Sequence, residues 1–337
     1  MTNEENSEGE TSRMNLGPRP PTSAPNAQWR LQNKVAVVVG AGRGIGEAIA
    51  LRFAEEGAQL VLAARTASEL DRVAAQIRAA SGTALVQVTD VTDRWQVNHL
   101  VQATLEAFGR IDVLVNAAGS YGPIGPLWEV DPEEWVKAFS VNVFSAFLLC
   151  QGVLPHMIAA RSGKIVHFSG GGATSPLPRF TAYGVSKAAL VRLTETLAEE
   201  VREYNIQINA IAPGAVDTRL QDQVLAAGDK AGEIYHRMCR MRETGEGATP
   251  RDLPAELAVF LCSEASCGLT GKLIAAPFDG WQSWNKQRID EVMSQPWFTL
   301  RRLDRFTLQP FLDQVRAKTA CTEDGCHEQI LRDPSRT

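Results

Sequence analysis

The stretch that decides the fold of this chain is Val35-Ala36-Val37-Val38-Val39-Gly40-Ala41-Gly42-Arg43-Gly44-Ile45-Gly46. Its apolar first half predicts a buried strand. Ile45, Ile49 and Phe53 then recur every four residues, as on one face of a helix that Gly57 is placed to end. A strand that runs through a glycine-rich turn into a helix presents free backbone N–H groups and the positive end of the helix dipole. Such a turn suits a pyrophosphate, so the stretch indicates a dinucleotide site.

Further apolar segments follow along the chain, and patterns typical of helices separate them. The predicted strands are Val35–Val39, Leu60–Ala63, Leu85–Val88, Val113–Val115, Lys164–Phe168, Gln207–Ile211 and Lys272–Ala276. These segments are apolar almost throughout, as in strands that are covered on both faces. The alternation of strands and helices predicts an α/β fold: a Rossmann-type, doubly wound, largely parallel sheet of seven strands with helices on both faces.

The composition changes at both ends of the chain. Residues 1–28 are rich in Glu, Asn, Ser, Thr and Pro and cannot bury enough apolar surface to offset the entropy of ordering, so we expect a disordered leader. Residues 29–285 form the predicted Rossmann-type domain. The alternating pattern ends near Gly280, and residues 286–337 are predicted to be a C-terminal extension that is partly disordered.

Charge and composition argue against several classes of protein. The net charge of −5 and the pI near 5.7 argue against nucleic acid as a partner, because phosphate binding needs a basic surface. No apolar run reaches the roughly 18 residues of a membrane-spanning helix. The acidic N-terminus lacks the apolar region of a secretory signal, and the six cysteines are most simply reduced thiols. We expect a cytoplasmic protein that binds neither membrane nor nucleic acid.

Tyr183 and Lys187 are four residues apart, about one helical turn, so the phenol and the ammonium group can lie on one helix face. A free tyrosine has a pKa near 10 and is a poor base at neutral pH. A positive charge about 4 Å away, at an effective dielectric near 20, is worth roughly 4 kcal/mol, or about 3 pKa units. We therefore predict that Lys187 lowers the pKa of Tyr183 and that the phenol transfers a proton. The alternative is an ordinary contact on a helix surface.

The residues after the second predicted strand indicate which dinucleotide binds. Sites for NAD usually have an acidic residue there, which binds the 2′-hydroxyl of the ribose. This chain has Ala64 and Arg65 at that point and Arg43 in the glycine turn, with no carboxylate to repel a phosphate. Two guanidinium groups would pair with the 2′-phosphate of NADP, so the sequence favours NADP as the cofactor, with NAD possible. The alternative is that both arginines are solvated surface residues.

Six motifs in order resemble those of the short-chain dehydrogenase/reductase family over about residues 31–280. They are the turn at Gly40, Gly44 and Gly46; Asp90-Val91; Asn116-Ala117-Ala118-Gly119; Asn142; Tyr183 with Lys187; and Pro213-Gly214-Ala215-Val216-Asp217-Thr218. The predicted cofactor-binding residues are Gly40, Arg43, Gly44, Ile45, Gly46, Arg65, Asp90, Val91, Asn116, Ala117, Gly119, Pro213, Gly214, Val216 and Thr218. The resemblance further implies that Asn142 supports a water chain to Lys187 and that the protein is a homodimer or homotetramer.

The chain departs from the family pattern at the catalytic serine, which usually stands thirteen residues before the tyrosine. Counting back from Tyr183 gives Gly170, inside Ser169-Gly170-Gly171-Gly172. Ser169 is adjacent, and Thr174 and Ser175 are close, so a shifted backbone could still supply a hydroxyl. We predict that Ser169 hydrogen-bonds the substrate oxygen. The predicted catalytic residues are Tyr183, Lys187, Ser169 and Asn142.

These features together imply an NADP(H)-dependent oxidoreductase that interconverts an alcohol and a carbonyl group on a small-molecule substrate. Tyr183 would donate a proton to the carbonyl oxygen during reduction and accept one during oxidation. Two alternatives remain open. A sugar-nucleotide epimerase or dehydratase can share the Tyr–Lys pair but needs a larger C-terminal domain, and an NADP-binding sensor with weak or no activity is consistent with Gly170.

Two further patterns concern metal binding and the cover of the substrate pocket. Cys321, Cys326 and His327 offer metal ligands, but their spacing does not match a common zinc finger, and we predict no metal site. By resemblance, residues 219–247 would form a mobile lid over the substrate. Tyr121, Arg179 and Phe180 would then be neighbours of the pocket.

Overall fold

A seven-stranded sheet is the centre of the computed structural model, which describes residues 29–302. The strands are β1 (Val35–Val39), β2 (Gln59–Ala64), β3 (Thr83–Val88), β4 (Val113–Asn116), β5 (Gly163–Phe168), β6 (Ile206–Ala212) and β7 (Leu273–Ala275). Their order in the sheet is β3-β2-β1-β4-β5-β6-β7, and every neighbouring pair is parallel. The predicted fold class is confirmed, and each predicted strand coincides with an observed one to within two residues at either end.

Helices cover both faces of this sheet. They are α1 (Gly44–Glu55), α2 (Ala67–Ala79), α3 (Arg94–Phe108), α4 (Pro132–Phe139), α5 (Ser145–Ala160), α6 (Thr181–Glu200), α7 (Arg219–Ala227), α8 (Glu233–Thr244), α9 (Asp252–Cys262) and α10 (Lys286–Met293). Side chains of α1, α2 and α9 share one apolar core with the sheet, and side chains of α3 and α5 share the other. Successive residues of β1 alternate between these cores, which is why its apolar run is continuous: Ala36 and Val38 face the first, Val37 and Val39 the second.

The order of the strands reverses at the boundary between β1 and β4. From β1 the chain proceeds outward to β2 and β3 on one side, and from β4 outward to β7 on the other. The ends of the two strands adjoin, since Val39 and Asn116 are register partners. In open parallel sheets, the crevice beyond the carboxyl ends at such a reversal is where ligands bind.

Helices α4 and α5 join through a π-helical turn, Ser140–Phe144, into one continuous helix. Within Pro132–Ala160 one window of 18 residues has a mean hydropathy of 1.7, enough by length and composition to cross a membrane. The prediction that no uninterrupted apolar run is long enough still holds, because Ser145, Gln151 and His156 interrupt this helix, whereas an average over a window tolerates them. The criterion is weak evidence for a membrane span, since core helices also meet it. Leu149, Val153 and Met157 pack this helix against the sheet.

The described part of the predicted C-terminal extension packs on the core. Ile289 and Val292 of α10 are buried in the same core as α1 and α9, together with Trp281 and Trp284. Beyond α10, Phe298 accepts a backbone hydrogen bond of 2.7 Å from Leu273 of β7. The predicted leader at residues 1–28 and the remainder of the extension, 303–337, lie outside the described residues, and the predicted boundary at 285 stays a prediction.

We predict that Ile289→Ala lowers the free energy of unfolding by about 2–5 kcal/mol, because it leaves a cavity in the core that α10 shares with α1 and α9. Denaturant titration followed by circular dichroism measures the change. Gln287→Ala, at an exposed position of the same helix, is the matched control and should change stability by less than about 0.5 kcal/mol. Equal stability of the two variants would show that α10 is not part of the core.

Candidate active site

The glycine turn brings the end of β1 into direct contact with the first turn of α1. A Cβ on Gly46 would overlap the carbonyl oxygen of Gly40, so only glycine permits this approach. Gly40 has φ of +78°, and a Cβ there would lie 3.1 Å from the carbonyl group of Ala117, beyond β4. The turn is therefore in close contact with α1 on one side and with the segment after β4 on the other. The N-terminus of α1 lies at the crevice.

Two further predicted segments converge on the same turn. Thr218 caps α7, and its Cγ2 would lie 3.3 Å from a Cβ on Gly44, so the segment after β6 reaches across to the glycine turn. That segment begins at Pro213 and Gly214, and its Val216 is buried. The predicted residues after β1, β4 and β6 are thus brought together at the carboxyl edge of the sheet.

Other predicted dinucleotide residues follow β3, lie in α1 or end β4. Asp90 follows β3, and its carboxylate accepts hydrogen bonds from the backbone N and Oγ1 of Thr92, at 2.9 and 2.7 Å. Val91 beside it is buried, Ile45 is half-buried in the first turn of α1, and the Asn116 side chain accepts a hydrogen bond from the backbone of Ala118 at 3.2 Å.

The sequence analysis missed a carboxylate at the glycine turn. Glu69, in the first turn of α2, accepts hydrogen bonds from Arg43 at 3.4 Å and from Arg219 at 2.9 Å, and a Cβ on Gly42 would touch its side chain at 3.0 Å. The expectation that no carboxylate is present was wrong, because only the residues at the strand end were considered. Arg65 is exposed and makes no hydrogen bond or ion pair with residues 29–302.

Tyr183 and Lys187 lie one turn apart on α6, and both side chains are buried. The ammonium group of Lys187 donates a hydrogen bond of 2.7 Å to the carbonyl oxygen of Phe168, at the end of β5. It lies 5.6 Å from the centroid of the Tyr183 ring. The pair therefore stands at the carboxyl edge, and the lysine is anchored to the sheet.

Burial has opposite effects on the pKa values of these two groups. It raises the pKa of Tyr183, with a smaller contribution from the nearby Tyr121, and it lowers the pKa of Lys187 to about 8. The predicted lowering of the Tyr183 pKa by Lys187, helped by an oxidised nicotinamide ring, is not seen in the protein alone, where the pKa is raised. The prediction considered only the positive charges, whereas burial away from water disfavours the charged phenolate. For the site with a dinucleotide bound it stays a prediction.

Asn142 lies in the π-helical turn and ties the segment after β4 to α6. Its amide nitrogen donates to the carbonyl oxygen of Ser120 and to the hydroxyl of Ser186, both at 2.8 Å, and its oxygen accepts from the backbone of Ser120 at 2.9 Å. A Cβ on Gly119 would lie 3.5 Å from both Asn142 and the Lys187 ammonium group. No pattern in the sequence predicts the π turn, a feature frequent at functional sites.

The predicted hydrogen bond from Ser169 to a substrate oxygen stays a prediction, and the structure shows where the hydroxyl groups near Gly170 lie. A Cβ on Gly170 would overlap the phenol oxygen of Tyr183, so the tyrosine fills the space that a serine side chain would need. The Oγ of Ser169 is buried and has no hydrogen-bond partner among residues 29–302, and Thr174 and Ser175 are exposed. The structure therefore does not join Ser169 to Tyr183.

An apolar cluster from the predicted lid covers the phenol. Val224 of α7 and Met238 and Met241 of α8 pack with Tyr121, Phe180 and Tyr183. The rings of Tyr121 and Tyr183 have their centroids 4.6 Å apart. Arg179 donates a hydrogen bond of 3.3 Å to the carbonyl oxygen of Lys230, in the predicted lid. The hydroxyl of Tyr121 donates to Gln221 at 3.3 Å, a contact that no spacing in the sequence indicated.

The arrangement fits a nicotinamide dinucleotide. The glycine turn leaves backbone at the N-terminus of α1 free of Cβ atoms, as a pyrophosphate requires. Gly119 leaves open a space bordered by Lys187 and Asn142, and the buried Oγ of Ser169 has no protein partner. A proton donor and a place for a dinucleotide therefore adjoin.

Comparisons with known proteins agree with this arrangement. Residues 34–228 match a family model described as short chain dehydrogenase. A 3-oxoacyl-[acyl-carrier-protein] reductase from Thermotoga maritima is 34% identical over 245 residues, which cover 73% of this chain and 96% of that protein. The structure of NAD+-bound xylitol dehydrogenase matches with a TM-score of 0.68 at 30% identity, covering 73% of this chain and 98% of that one. Actinorhodin polyketide ketoreductase with NADPH matches with a TM-score of 0.67 at 28% identity, covering 72% and 95%.

We predict that Gly46→Ala lowers the free energy of unfolding by about 1–3 kcal/mol and weakens NADPH binding, because the new methyl group forces α1 away from Gly40. Thermal unfolding and fluorescence titration with NADPH measure the two effects. Gly171→Ala is the control, since a Cβ there has nothing within 4 Å. If both variants bind and unfold like the parent, the close contact at the glycine turn does not matter.

Proposed function

Because this chain belongs to the short-chain dehydrogenase/reductase family, we propose that it is an NADP(H)-dependent oxidoreductase that interconverts an alcohol and a carbonyl group on a small molecule. One observation carries the proposal: Tyr183 and Lys187 are buried one turn apart, and Lys187 is anchored at the carboxyl end of β5, on the same edge of the sheet as the glycine turn. The named relatives include reductases and a dehydrogenase that act on such groups.

The chain's own residues supply binding and proton transfer. The bound dinucleotide supplies the hydride. The backbone of the glycine turn and the N-terminus of α1 would hold its pyrophosphate. In reduction, Tyr183 would give its hydroxyl proton to the carbonyl oxygen as the carbonyl carbon becomes an alcohol carbon. The lid residues Met238 and Met241 would exclude water from the phenol.

The direction of the pKa changes fits a phenol that acts as the acid when the reaction runs toward the alcohol. A phenol whose pKa is raised by burial keeps its proton at neutral pH and is ready to act as an acid. Lys187 has a pKa of about 8, so its side chain is mostly protonated below pH 8. Its positive charge would then stabilise the phenolate that remains after proton transfer.

The preference for NADP rests on three arginines around the glycine turn. Arg65 has no protein partner among residues 29–302, and Arg43 and Arg219 both contact Glu69. A 2′-phosphate would pair with Arg65 and compete with Glu69 for Arg43. NAD remains the alternative, because Glu69 could accept a ribose hydroxyl, and the relatives named above include structures with NAD+ and with NADPH.

A second candidate function is an NADP-binding sensor with weak or no activity, and Gly170 is the observation that favours it. An epimerase or dehydratase is less well supported, because the described residues after 285 form one short helix that packs on the core. The cytoplasmic location and the homodimeric or homotetrameric state stay predictions.

The first test replaces Tyr183 by Phe. We expect kcat to fall about 10²- to 10⁴-fold while the dissociation constant for NADPH is unchanged, because only the oxygen that moves the proton is removed. Turnover is followed by NADPH absorbance across a panel of aldehydes, ketones and keto-sugars. Tyr204→Phe, outside the site, controls for loss of a phenol. Parental activity of Tyr183→Phe would remove the assigned role, and no turnover by the parent across the panel would favour the sensor.

The second test concerns the choice of dinucleotide. We expect Arg65→Asp to raise the dissociation constant for NADPH at least about tenfold and to change that for NADH much less, because a charged hydrogen bond is replaced by repulsion. Isothermal titration calorimetry gives both constants. Arg78→Asp makes the same charge change at the opposite end of α2 and should spare both. Tighter binding of NADH than of NADPH by the parent would overturn the preference.

A further inference from the structure

The position that the family pattern gives to a serine has no side chain in this protein. Tyr183 fills the space beside Gly170, and the adjacent Ser169 hydroxyl does not reach the phenol. Carbonyl reduction builds negative charge on oxygen, and preorganised hydrogen-bond donors at that oxygen are a large part of catalysis. The second donor is therefore either the unpaired hydroxyl of Ser169 or a side chain that packs against Tyr183.

Tyr121 is a side chain with a hydroxyl group that packs directly against the ring of Tyr183. Tyr121 comes two residues after Gly119 and is buried. The centroid of its ring lies 4.6 Å from that of Tyr183 and 5.5 Å from that of Phe180. Its immediate apolar neighbours include Val224 and Met238 of the lid. A hydroxyl among such neighbours is in a low-dielectric environment, where a hydrogen bond to a charged oxygen is strengthened.

Gln221 directs this hydroxyl toward the dinucleotide side of the site. The Tyr121 hydroxyl donates to the Gln221 oxygen at 3.3 Å, and the Gln221 amide donates to the carbonyl oxygen of Val216 at 3.4 Å. Val216 belongs to the segment whose Thr218 reaches Gly44 of the glycine turn. The phenol of Tyr121 is thus held between Tyr183 and the segment that the proposed function assigns to the cofactor.

We propose that Tyr121 is a catalytic residue that replaces the missing serine, donating the second hydrogen bond to the substrate's carbonyl oxygen, and that Gln221 positions it. This inference rests on the proposed function. The bond of 3.3 Å to Gln221 is longer than the usual 2.7–2.8 Å between hydroxyl and oxygen, so it can be exchanged for a substrate oxygen. Burial raises the pKa of Tyr121 to about 12, which keeps its proton in place as a donor.

The step balances without another reactant. Hydride supplied by the reduced dinucleotide, which would lose that C–H bond and be oxidised, would form the new C–H bond at the carbonyl carbon, and the π electron pair of the carbonyl would move to oxygen. That oxygen takes the proton of Tyr183. Tyr121 keeps its proton throughout, and its hydrogen bond stabilises the charge as it develops.

The test compares kcat and KM of Tyr121→Phe with those of the parent, using the ketone of the panel that the parent reduces fastest. We expect kcat to fall about 10²-fold or more while the dissociation constant for NADPH and the unfolding temperature stay near parental values. Ser169→Ala is expected to lose much less activity. Parental kcat for Tyr121→Phe, or a larger loss for Ser169→Ala, overturns the proposal.

A double variant separates catalysis from packing. Tyr121→Phe leaves the side-chain oxygen of Gln221 without its partner, and Tyr121→Phe/Gln221→Met removes that unpaired oxygen. The double variant stays as slow as the single one if the hydroxyl acts on the substrate. Recovery of kcat would show that the loss was structural and would overturn the proposal. The kcat of Tyr183→Phe separates this proposal from the proposed function. If Tyr183→Phe is slow and Tyr121→Phe has the parental kcat, only the role of Tyr121 is rejected. If Tyr183→Phe itself has the parental kcat, the proposed function is rejected.

Discussion

The contact between Gly46 and the carbonyl oxygen of Gly40 is the constraint on which the rest of the site depends. It fixes how closely α1 approaches the end of β1, and therefore where the free N–H groups of the helix point. The same turn is limited on its other side by Ala117, beyond β4. Since β1 and β4 are where the strand order reverses, this contact lies at the mouth of the crevice where ligands bind in such sheets.

A chain of buried polar groups holds α6 against that crevice. Lys187 is fixed to the carbonyl oxygen of Phe168, and Asn142 joins Ser120 to Ser186. Buried hydrogen bonds of this kind are costly to leave unmade, so together they specify one position for the helix. The position of Tyr183 is therefore set by the hydrogen bonds of Lys187 and Ser186 on the same helix. Its own hydroxyl lies against Gly170, which has no side chain to bind it.

The sequence predicted the features that depend on the periodicity of apolar residues and on the order of motifs along the chain. The strands followed from apolar runs, and Tyr183 and Lys187 share a helix face because four residues make about one turn. What it did not predict depends on contacts between distant segments. Glu69 meets the glycine turn and Gln221 meets Tyr121 only after folding, and the raised pKa of Tyr183 comes from burial, which no local spacing encodes. The π turn at Asn142 likewise has no pattern of its own.

The backbone bond from Leu273 to Phe298 has a consequence for association between molecules. A strand at the rim of a sheet presents unpaired N–H and C=O groups, which invite pairing with a strand of another chain. At Leu273 the chain's own later residues occupy that rim. An incoming strand would first have to displace Phe298, which also packs against Trp284, so strand addition is disfavoured on this side of the molecule.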